Sequence, residues 1–448
     1  MSDLTTGSKI QKFFEQNVIS RLKTWQDQLC DGDLHGFEAE LSAQLSALHD
    51  QVCEEVLPVA AEQVYEELKA SARQDGCRKI VARPLRVRLS TGSHIEVSSP
   101  YAKMASLGYE QKRHLLSAHW HLIGSASPAL YDKVGFCAAL SPSYDTGHEL
   151  LMKFGVQLGL SSVREISNRL AQACHAAGEA ELCTQNDESL AGKRVVIALD
   201  GGRTRTREYN GKYTQEGNEQ YDTLWREPKL FVIDVLDEQG RPARRELPIY
   251  GCRFDQKELF RLLESYLSKL KIKDAESVQL VGDGAPWIWN NVPALLRGLG
   301  LSKGRLIETL DAYHGTEYVH KLVEMMNSRV SEKEKPGLLK KFLHWFWDGH
   351  AGKIARYCRN IFKYSNELVE RYIAYLKKHE NRMQYADYKE NNMMCGSGIV
   401  ESGVRRIINL RFKNTSAFWD ATTVEKLYFL RAAVLSKRWD TVIQNLAC

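Results

Sequence analysis

The sequence predicts an α/β protein, an α+β arrangement on a mixed sheet, with an all-helical insertion and mostly helical regions in front. Three observations carry that expectation. The run Arg194-Val195-Val196-Ile197-Ala198-Leu199-Asp200-Gly201-Gly202 holds five apolar residues without alternation, then stops at a carboxylate and two glycines. Such a run reads as a strand buried on both faces, and sites in open α/β sheets lie at the carboxyl rim of such strands. The same pattern returns at Ser277-Val278-Gln279-Leu280-Val281-Gly282 before Asp283, and at Arg305 to Leu310 before Asp311. Between them, helical spacing covers Gln256 to Leu270 and Trp287 to Leu299, and two further strands are expected from Thr206 to Thr214 and from Leu230 to Asp237. Three hairpin-connected strands followed by helix-strand-helix-strand make a mixed sheet with helices on both faces. On residues alone, Asp200 before glycine fits a turn cap as well as a site.

A chain of 448 residues has room for two or three domains, and 43% hydrophobic with 26% charged residues is ordinary for a globular protein. No apolar run approaches the roughly 18 residues of a membrane span, and the start Met1-Ser2-Asp3-Leu4-Thr5 lacks a signal-peptide layout. Ten cysteines without a Cys-x-x-Cys pair argue for reduced, mostly buried thiols in a cytosolic protein and against a zinc ribbon. Charge is divided unevenly. Residues 1–75 hold 14 acidic and six basic side chains, a net of −8, so a total of +5 leaves +13 on the other 373 residues. An acidic leader on a basic body points to a nucleic-acid-binding body whose leader does something else.

In chain order, residues 1–75 read as an acidic helical leader with an apolar stripe at Leu41, Leu45, Leu48, Val52 and Val56, suited to self-association or to capping the body. Residues 76–105 alternate basic with apolar, a β-hairpin whose Arg83, Arg86 and Arg88 form an arginine face, for phosphates or for water. Residues 106–178 are helical again. Thr146 to Leu158, with Leu150, Leu151, Phe154 and Leu158 as its apolar face, then Gly159, Ser161 as N-cap and Val163 to Cys174 give a helix-turn-helix layout. Arg164, Asn168, Arg169 and Gln172 are its polar candidates for reading DNA. Residues 179–192 read as a linker. The core is expected over 193–314, an all-helical insertion over 315–392, and the rest of the core with C-terminal helices over 393–448. The insertion interleaves bases with rings, at His344-Trp345-Phe346-Trp347, Arg356-Tyr357, Lys363-Tyr364 and Arg371-Tyr372. Packing inside the insertion is the expected use of most of these rings. The last block runs from Gly396-Ser397-Gly398 through Glu401 to Lys413. It is a glycine-rich approach to a helix on which Glu401 and Arg405 share a face.

Asp200 and Asp283 end strands, and Glu401 opens a helix, at spacings of 83 and 118 residues. Three carboxylates on one rim would repel one another unless divalent cations lay between them. Two Mg²⁺ or Mn²⁺ ions about 3.5–4 Å apart would suit in-line displacement at a phosphodiester.

The strand ending in Asp200-Gly201-Gly202, the run Val281-Gly282-Asp283-Gly284-Ala285-Pro286-Trp287, Leu310-Asp311-Ala312-Tyr313-His314, and the Glu401 helix with Arg405, Arg411, Lys413 and Trp419 resemble bacterial insertion-sequence transposases of the DDE class. The resemblance covers about residues 193–420. It implies a ribonuclease H-like catalytic core, Asp200, Asp283 and Glu401 as catalytic metal ligands, and an insertion domain after Asp311. Asp311 and His314 match a family motif and are candidates to support the ligands from behind. Arg405, Arg406, Arg411 and Lys413 beside the site, together with Arg164, Asn168, Arg169, Arg83, Arg86 and Arg88, are the expected DNA contacts. The expected partners are double-stranded DNA, as element ends and target, and further copies of the chain; no membrane is expected. Two other readings stand beside this one: a ribonuclease H-like nuclease or resolvase that cuts without joining, and a DNA-binding descendant that no longer catalyses. The intact acidic positions speak against the last.

Overall fold

A computed structural model describes every residue except 1, 78, 105–110, 244, 246, 327–328, 363–365, 414–417 and 448. Lys363-Tyr364 and the junction at 105–106 therefore lie outside the described residues. The strands in chain order are β1 (Ile80–Arg88), β2 (His94–Met104), β3 (Gln111–His114), β4 (Arg194–Gly201), β5 (Thr204–Tyr213), β6 (Glu219–Arg226), β7 (Lys229–Leu236), β8 (Ile249–Arg253), β9 (Ser277–Gly282), β10 (Leu306–Leu310) and β11 (Trp419–Asp420). They form three sheets, ordered β1-β2-β3, β10-β9-β4-β7-β8 and β11-β5-β6. The chain divides into two units, Met1–Ala177 with Ile443–Cys448, and Gly178–Val442. No helix among the described residues is long and apolar enough to cross a membrane.

In the second unit β4 is the middle strand of five. It runs parallel to β9 and antiparallel to β7; β9 is parallel to β10 and β7 antiparallel to β8. Val195 to Leu199 are all buried, as their unalternating sequence predicts, and burying each large side chain contributes about 1.5–3 kcal/mol. The parallel crossover to β9 is made by the helix Gln256–Lys269, capped by Asp255 and buried through Leu259, Leu262, Leu263, Tyr266 and Leu267.

Three sequence expectations about this unit are corrected. The strand expected from Thr206 does not join the central sheet: β5 turns away to pair with β6 and β11, and β8 takes the edge place beside β7. The helix expected from Trp287 to Leu299 is two, Pro286–Trp289 and Val292–Gly298, because Pro293 has no N–H to continue the first ladder. The expected linker carries a helix, Glu179–Cys183, whose buried Glu179 pairs with buried Arg253, while Glu188 pairs with Arg438. The Glu401 helix is short, Gly398–Gly403, and continues as a π-helical turn over Val404–Asn409.

After β10 the described residues as far as Glu390 are helical: Ala312–Glu324, Lys335–Trp347, Ala351–Ile361, Glu367–Lys378 and Tyr385–Glu390, with a short 3-10 turn at Glu380–Arg382. Phe342, Phe346, Ile354, Ile373 and Tyr385 are buried in one cluster, with Trp345, Trp347, Tyr357 and Tyr372 packed against it.

In the first unit, helices Ser2–Asn17, Leu22–Cys30 and Leu34–Gln74 precede the β1-β2-β3 sheet. The long helix packs Cys53, Leu57, Ala61, Val64 and Leu68 against Leu85, Val87, Leu89 and Val97 of the sheet. That buried face is not the expected stripe: Leu45 is 52% exposed and Val56 is exposed too, while Leu41, Leu48 and Val52 are half-buried.

Candidate functional site

β4 carries Asp200 to the rim of the central sheet. Its Oδ1 accepts a hydrogen bond from the Gly201 N–H at 2.7 Å, which fixes the carboxylate and leaves the other oxygen for the site. Gly202 next to it is dictated by packing: a Cβ there would lie 2.7 Å from Ile408 Cδ1 of the π-helical turn. β9 is the parallel neighbour of β4, so Asp283, one residue past its end, arrives at the same rim. Asp283 Oδ1 accepts from Ala285 N at 2.9 Å, and its carbonyl accepts from Trp289 Nε1 at 2.6 Å. Gly284 follows because the ring of Tyr375, from the helix Glu367–Lys378, occupies the place of a side chain, 2.1 Å from where a Cβ would stand.

Glu401 reaches the rim from the Gly398–Gly403 helix, and its carboxylate is exposed. Electrostatics ties the three acids together. Burial raises the Asp200 carboxyl to about 6; the negative charges of Asp283 and Glu401 push the same way, and the Gly201 N–H and His314 pull against them. Asp200 thus feels both other carboxylates across some two hundred residues of sequence.

Asp311, at the end of β10, is fully buried and caps the helix Ala312–Glu324. Its Oδ1 accepts from Tyr313 N at 3.0 Å; its Oδ2 faces His314 Nδ1 at 2.8 Å and accepts from Ser397 Oγ at 2.7 Å. Burial alone would raise this carboxyl, but the hydrogen bonds of His314, Ser397 and Tyr313 outweigh it and hold it below the ordinary range. The bond to Asp311 lifts His314 to about 9 against its own partial burial, helped by the charges of Asp311, Asp283 and Glu317. A value of about 9 keeps His314 charged at neutral pH, beside the carboxylates of Asp311, Asp283 and Glu317.

Ser397 Oγ also lies 3.1 Å from Glu401 Oε1. A hydroxyl has one proton, so Ser397 serves one carboxylate at a time, and the shorter contact is to Asp311. Ser397 is the residue that sequence reasoning passed over; the only signal was its place between two glycines, four residues before Glu401. One donor atom each from Asp311, His314 and Glu401 lie within 4.8 Å of one another, a group that could share a cation once the imidazole gives up its proton. Hard oxygen donors with excess negative charge fit Mg²⁺ or Mn²⁺. Asp200, Asp283 and Glu401 supply that charge.

The expected DNA contacts separate into three groups. Arg405 and Lys413 are exposed, on the segment that carries Glu401. Arg406 is half-buried, donates to the Tyr250 hydroxyl and lies over its ring. Arg411 is a correction: it is 1% exposed, with its guanidinium 5.3 Å from the centre of the Trp419 ring, so it is enclosed within the fold and cannot lie on a phosphate. In the first unit Arg86 and Arg88 share one face of β1, but Arg83, an odd number of residues away, points to the other and lies over Tyr101; the single arginine face is corrected to that extent. Arg88 donates to Ser162 Oγ at 2.7 Å.

The helical pair of the first unit is Tyr144–Lys153 and Leu160–Ala177. Ser161 lies within the second helix rather than capping it, since Ser162 and Val163 both bond back to the Gly159 carbonyl. Leu151 and Leu158 are buried, but Leu150 is exposed and Phe154 is 75% exposed, so the expected apolar face is only half used. Arg164 and Arg169 are exposed and Asn168 half-buried; Arg169 pairs with Glu165 at 2.9 Å and Asn168 meets the Tyr144 hydroxyl at 3.4 Å.

No protein-family model matches the chain, and no curated protein matches it. Among solved structures, the Drosophila P element transposase strand transfer complex is similar at a TM-score of 0.25 and 12% identity, over 72% of this chain and 81% of that chain. A likeness at that level carries no argument for fold or chemistry.

Proposed function

We propose that this chain is a DDE-class DNA transposase, of the bacterial insertion-sequence kind, which cleaves the ends of an element and joins them to target DNA. One observation carries the reading: Asp283 from the adjacent parallel strand and Glu401 from a distant helix both lie close enough for their charges to act on the Asp200 carboxyl. The mixed five-stranded sheet with carboxylates past the ends of β4 and β9 supports a ribonuclease H-like core. The helices between Asp311 and Ser397 support an insertion within it.

In this reading Asp200, Asp283 and Glu401 hold two divalent cations. When bound, these supply an activated hydroxyl and stabilise the leaving oxygen of an in-line displacement. The chain's own residues hold the ligands ready. Gly201 N–H and Ala285 N–H each fix one oxygen of an aspartate, and Ser397 stands between Glu401 and the buried Asp311 that pairs with His314. His314 adds a positive charge that offsets the carboxylates before any cation enters. Arg405 and Lys413, both exposed on the segment that carries Glu401, would meet phosphates in this reading.

The test is cleavage and joining of DNA ends with Mg²⁺ or Mn²⁺. Asp200→Ala, Asp283→Ala and Glu401→Ala are each expected to abolish both steps and to leave DNA affinity within a few-fold. Cleavage without joining by the wild-type protein would mark a nuclease instead. Wild-type cleavage by any one variant would remove that residue from the trio.

A further inference from the structure

The β5-β6 ribbon leaves the central sheet at the point that carries Asp200. Gly201 pairs with Lys229, Gly202 N donates to the Pro228 carbonyl at 2.8 Å, and β5 starts at Thr204. Residues directly opposite in an antiparallel pair share a face. The register sets Arg205 against Trp225, Arg207 against Thr223, and Tyr209 against Tyr221. One face of the ribbon thus carries Arg205, Arg207, Tyr209, Tyr221, Thr223 and Trp225, and among the paired positions its one carboxylate is Glu219, at the far end of β6. Phe418 joins it at the β11 edge, with the Arg205 guanidinium 4.6 Å from its ring centre and the Tyr221 ring 5.8 Å away.

The acids nearer the root are on the other face. Glu208 stands against Asp222 there, and Arg226 of the same face pairs with Glu208. Near the root that second face is packed: Thr204 and Thr206 are buried, and Thr204 bonds the Tyr428 hydroxyl at 2.7 Å. The aromatic face remains open, with Trp225 57% exposed and Tyr209 and Tyr221 exposed beside it. Every residue of β6 is exposed.

Sorting by charge and ring is not needed to fold a two-stranded ribbon. Water gains nothing from exposed rings, and a duplex backbone would be served by lysines and arginines alone. Flat rings interleaved with guanidiniums on an exposed sheet face match unpaired nucleobases, which stack on the rings while the cations meet their phosphates. We infer that this face of the ribbon binds single-stranded DNA, holding the unpaired nucleotides next to the phosphodiester that the carboxylates address. The inference rests on the DNA-processing reading for the identity of its partner.

The experiment uses the full chain in EDTA, so that binding is read without any metal-dependent chemistry. The affinity for a fluorescent oligo-dT strand is compared with that for a duplex of equal length, and 2-aminopurine in the strand reports stacking. Wild type is expected to quench 2-aminopurine. Trp225→Ala, Tyr221→Ala and Arg207→Ala are expected to weaken single-strand binding about 5- to 100-fold, with loss of the quench for the ring variants. Leu224→Ala and Asp222→Asn, on the opposite face, are expected to bind as wild type. Wild-type affinity and quench in the three aromatic-face variants would overturn the inference. So would an equal loss on duplex DNA, which would make the ribbon a general backbone contact. Failure of the transposase reading shows elsewhere, as intact cleavage by Asp200→Ala, and leaves this binding result standing.

Discussion

Asp200 links the site to pH. Burial, backed by the charges of Asp283 and Glu401, holds its carboxyl at about 6 instead of 3.8. Between those values the folded chain keeps a proton that the unfolded chain has released, so this group's contribution to stability falls as pH rises through the window. Asp200→Asn is therefore expected to raise the melting temperature of the metal-free protein by a few degrees near pH 8 and to change little near pH 4. Mg²⁺ is expected to stabilise the wild type near pH 8 and to lose that effect below about pH 6, where binding must displace a proton. Melting curves with and without Mg²⁺ read both, and equal stabilisation at about pH 5 and pH 8 would count against Asp200 as a ligand. His314 works in the same direction at higher pH. Its raised value, about 9, gives a contribution present at neutral pH and below and lost as pH climbs through 9. Ser397 stands between the two carboxylates, and Ser397→Ala is expected to lower cleavage or metal affinity about 10- to 100-fold without changing DNA affinity. Ser397→Thr, which keeps the hydroxyl, should restore part of it. A metal titration midpoint unmoved in Ser397→Ala would show that the hydroxyl does not position Glu401.

Elements set how firmly the site is held. The loop after β9 is clamped from above by the helix Glu367–Lys378, whose Tyr375 ring fills the space over Gly284 and stacks on Tyr318 at 3.8 Å. Gly284→Ala must push Asp283 or the ring aside, and it is expected to lower both melting temperature and cleavage; adding Tyr375→Ala should recover stability by making room. A Gly284→Ala protein as stable and active as wild type would show the clamp to be slack. Below the rim, Gln279 of β9 bonds Thr309 of β10 and both polar groups of Met394, which tethers the segment leading to Ser397. The helices after β10 thus touch the candidate site at two places, Gly284 and the approach to Glu401.

At the scale of the molecule, the acidic leader is part of the first unit's core rather than an appendage. Cys53, Leu57, Ala61, Val64 and Leu68 of the long helix seal the β1-β2 hairpin. Removing residues 1–75 would expose that core, so deletion cannot test for self-association. The outward face can: Leu22, Leu34, Leu45 and Val56 are exposed apolar side chains on the leader's helices. If they meet a second copy, Leu34→Asp with Leu45→Asp is expected to reduce the mass in solution or on DNA ends while melting is unchanged. Unaltered mass under both conditions would leave the stripe without that role.

The sequence by itself determined the central strands, because β4 and β9 are buried on both faces and their local composition says so without help from partners. It also put Asp200 and Asp283 at strand ends, and a carboxylate that ends a buried strand has nowhere to go but the rim. The helical character of 315–392 was legible for the same local reason. What only the tertiary structure decided depends on neighbours far away in the chain. β6 carries no buried residue and so no apolar pattern, and the five residues of β8 are buried by helices on either side. Arg411 looked like its exposed neighbours until Trp419 and Phe412 enclosed it. The link from His314 and Asp311 through Ser397 to Glu401 joins residues 87 positions apart, from His314 to Glu401, and hydrogen bonds across such a gap leave no periodicity to read. Strand ends are set by local burial, whereas polar networks are set by what the packed core brings within three ångströms.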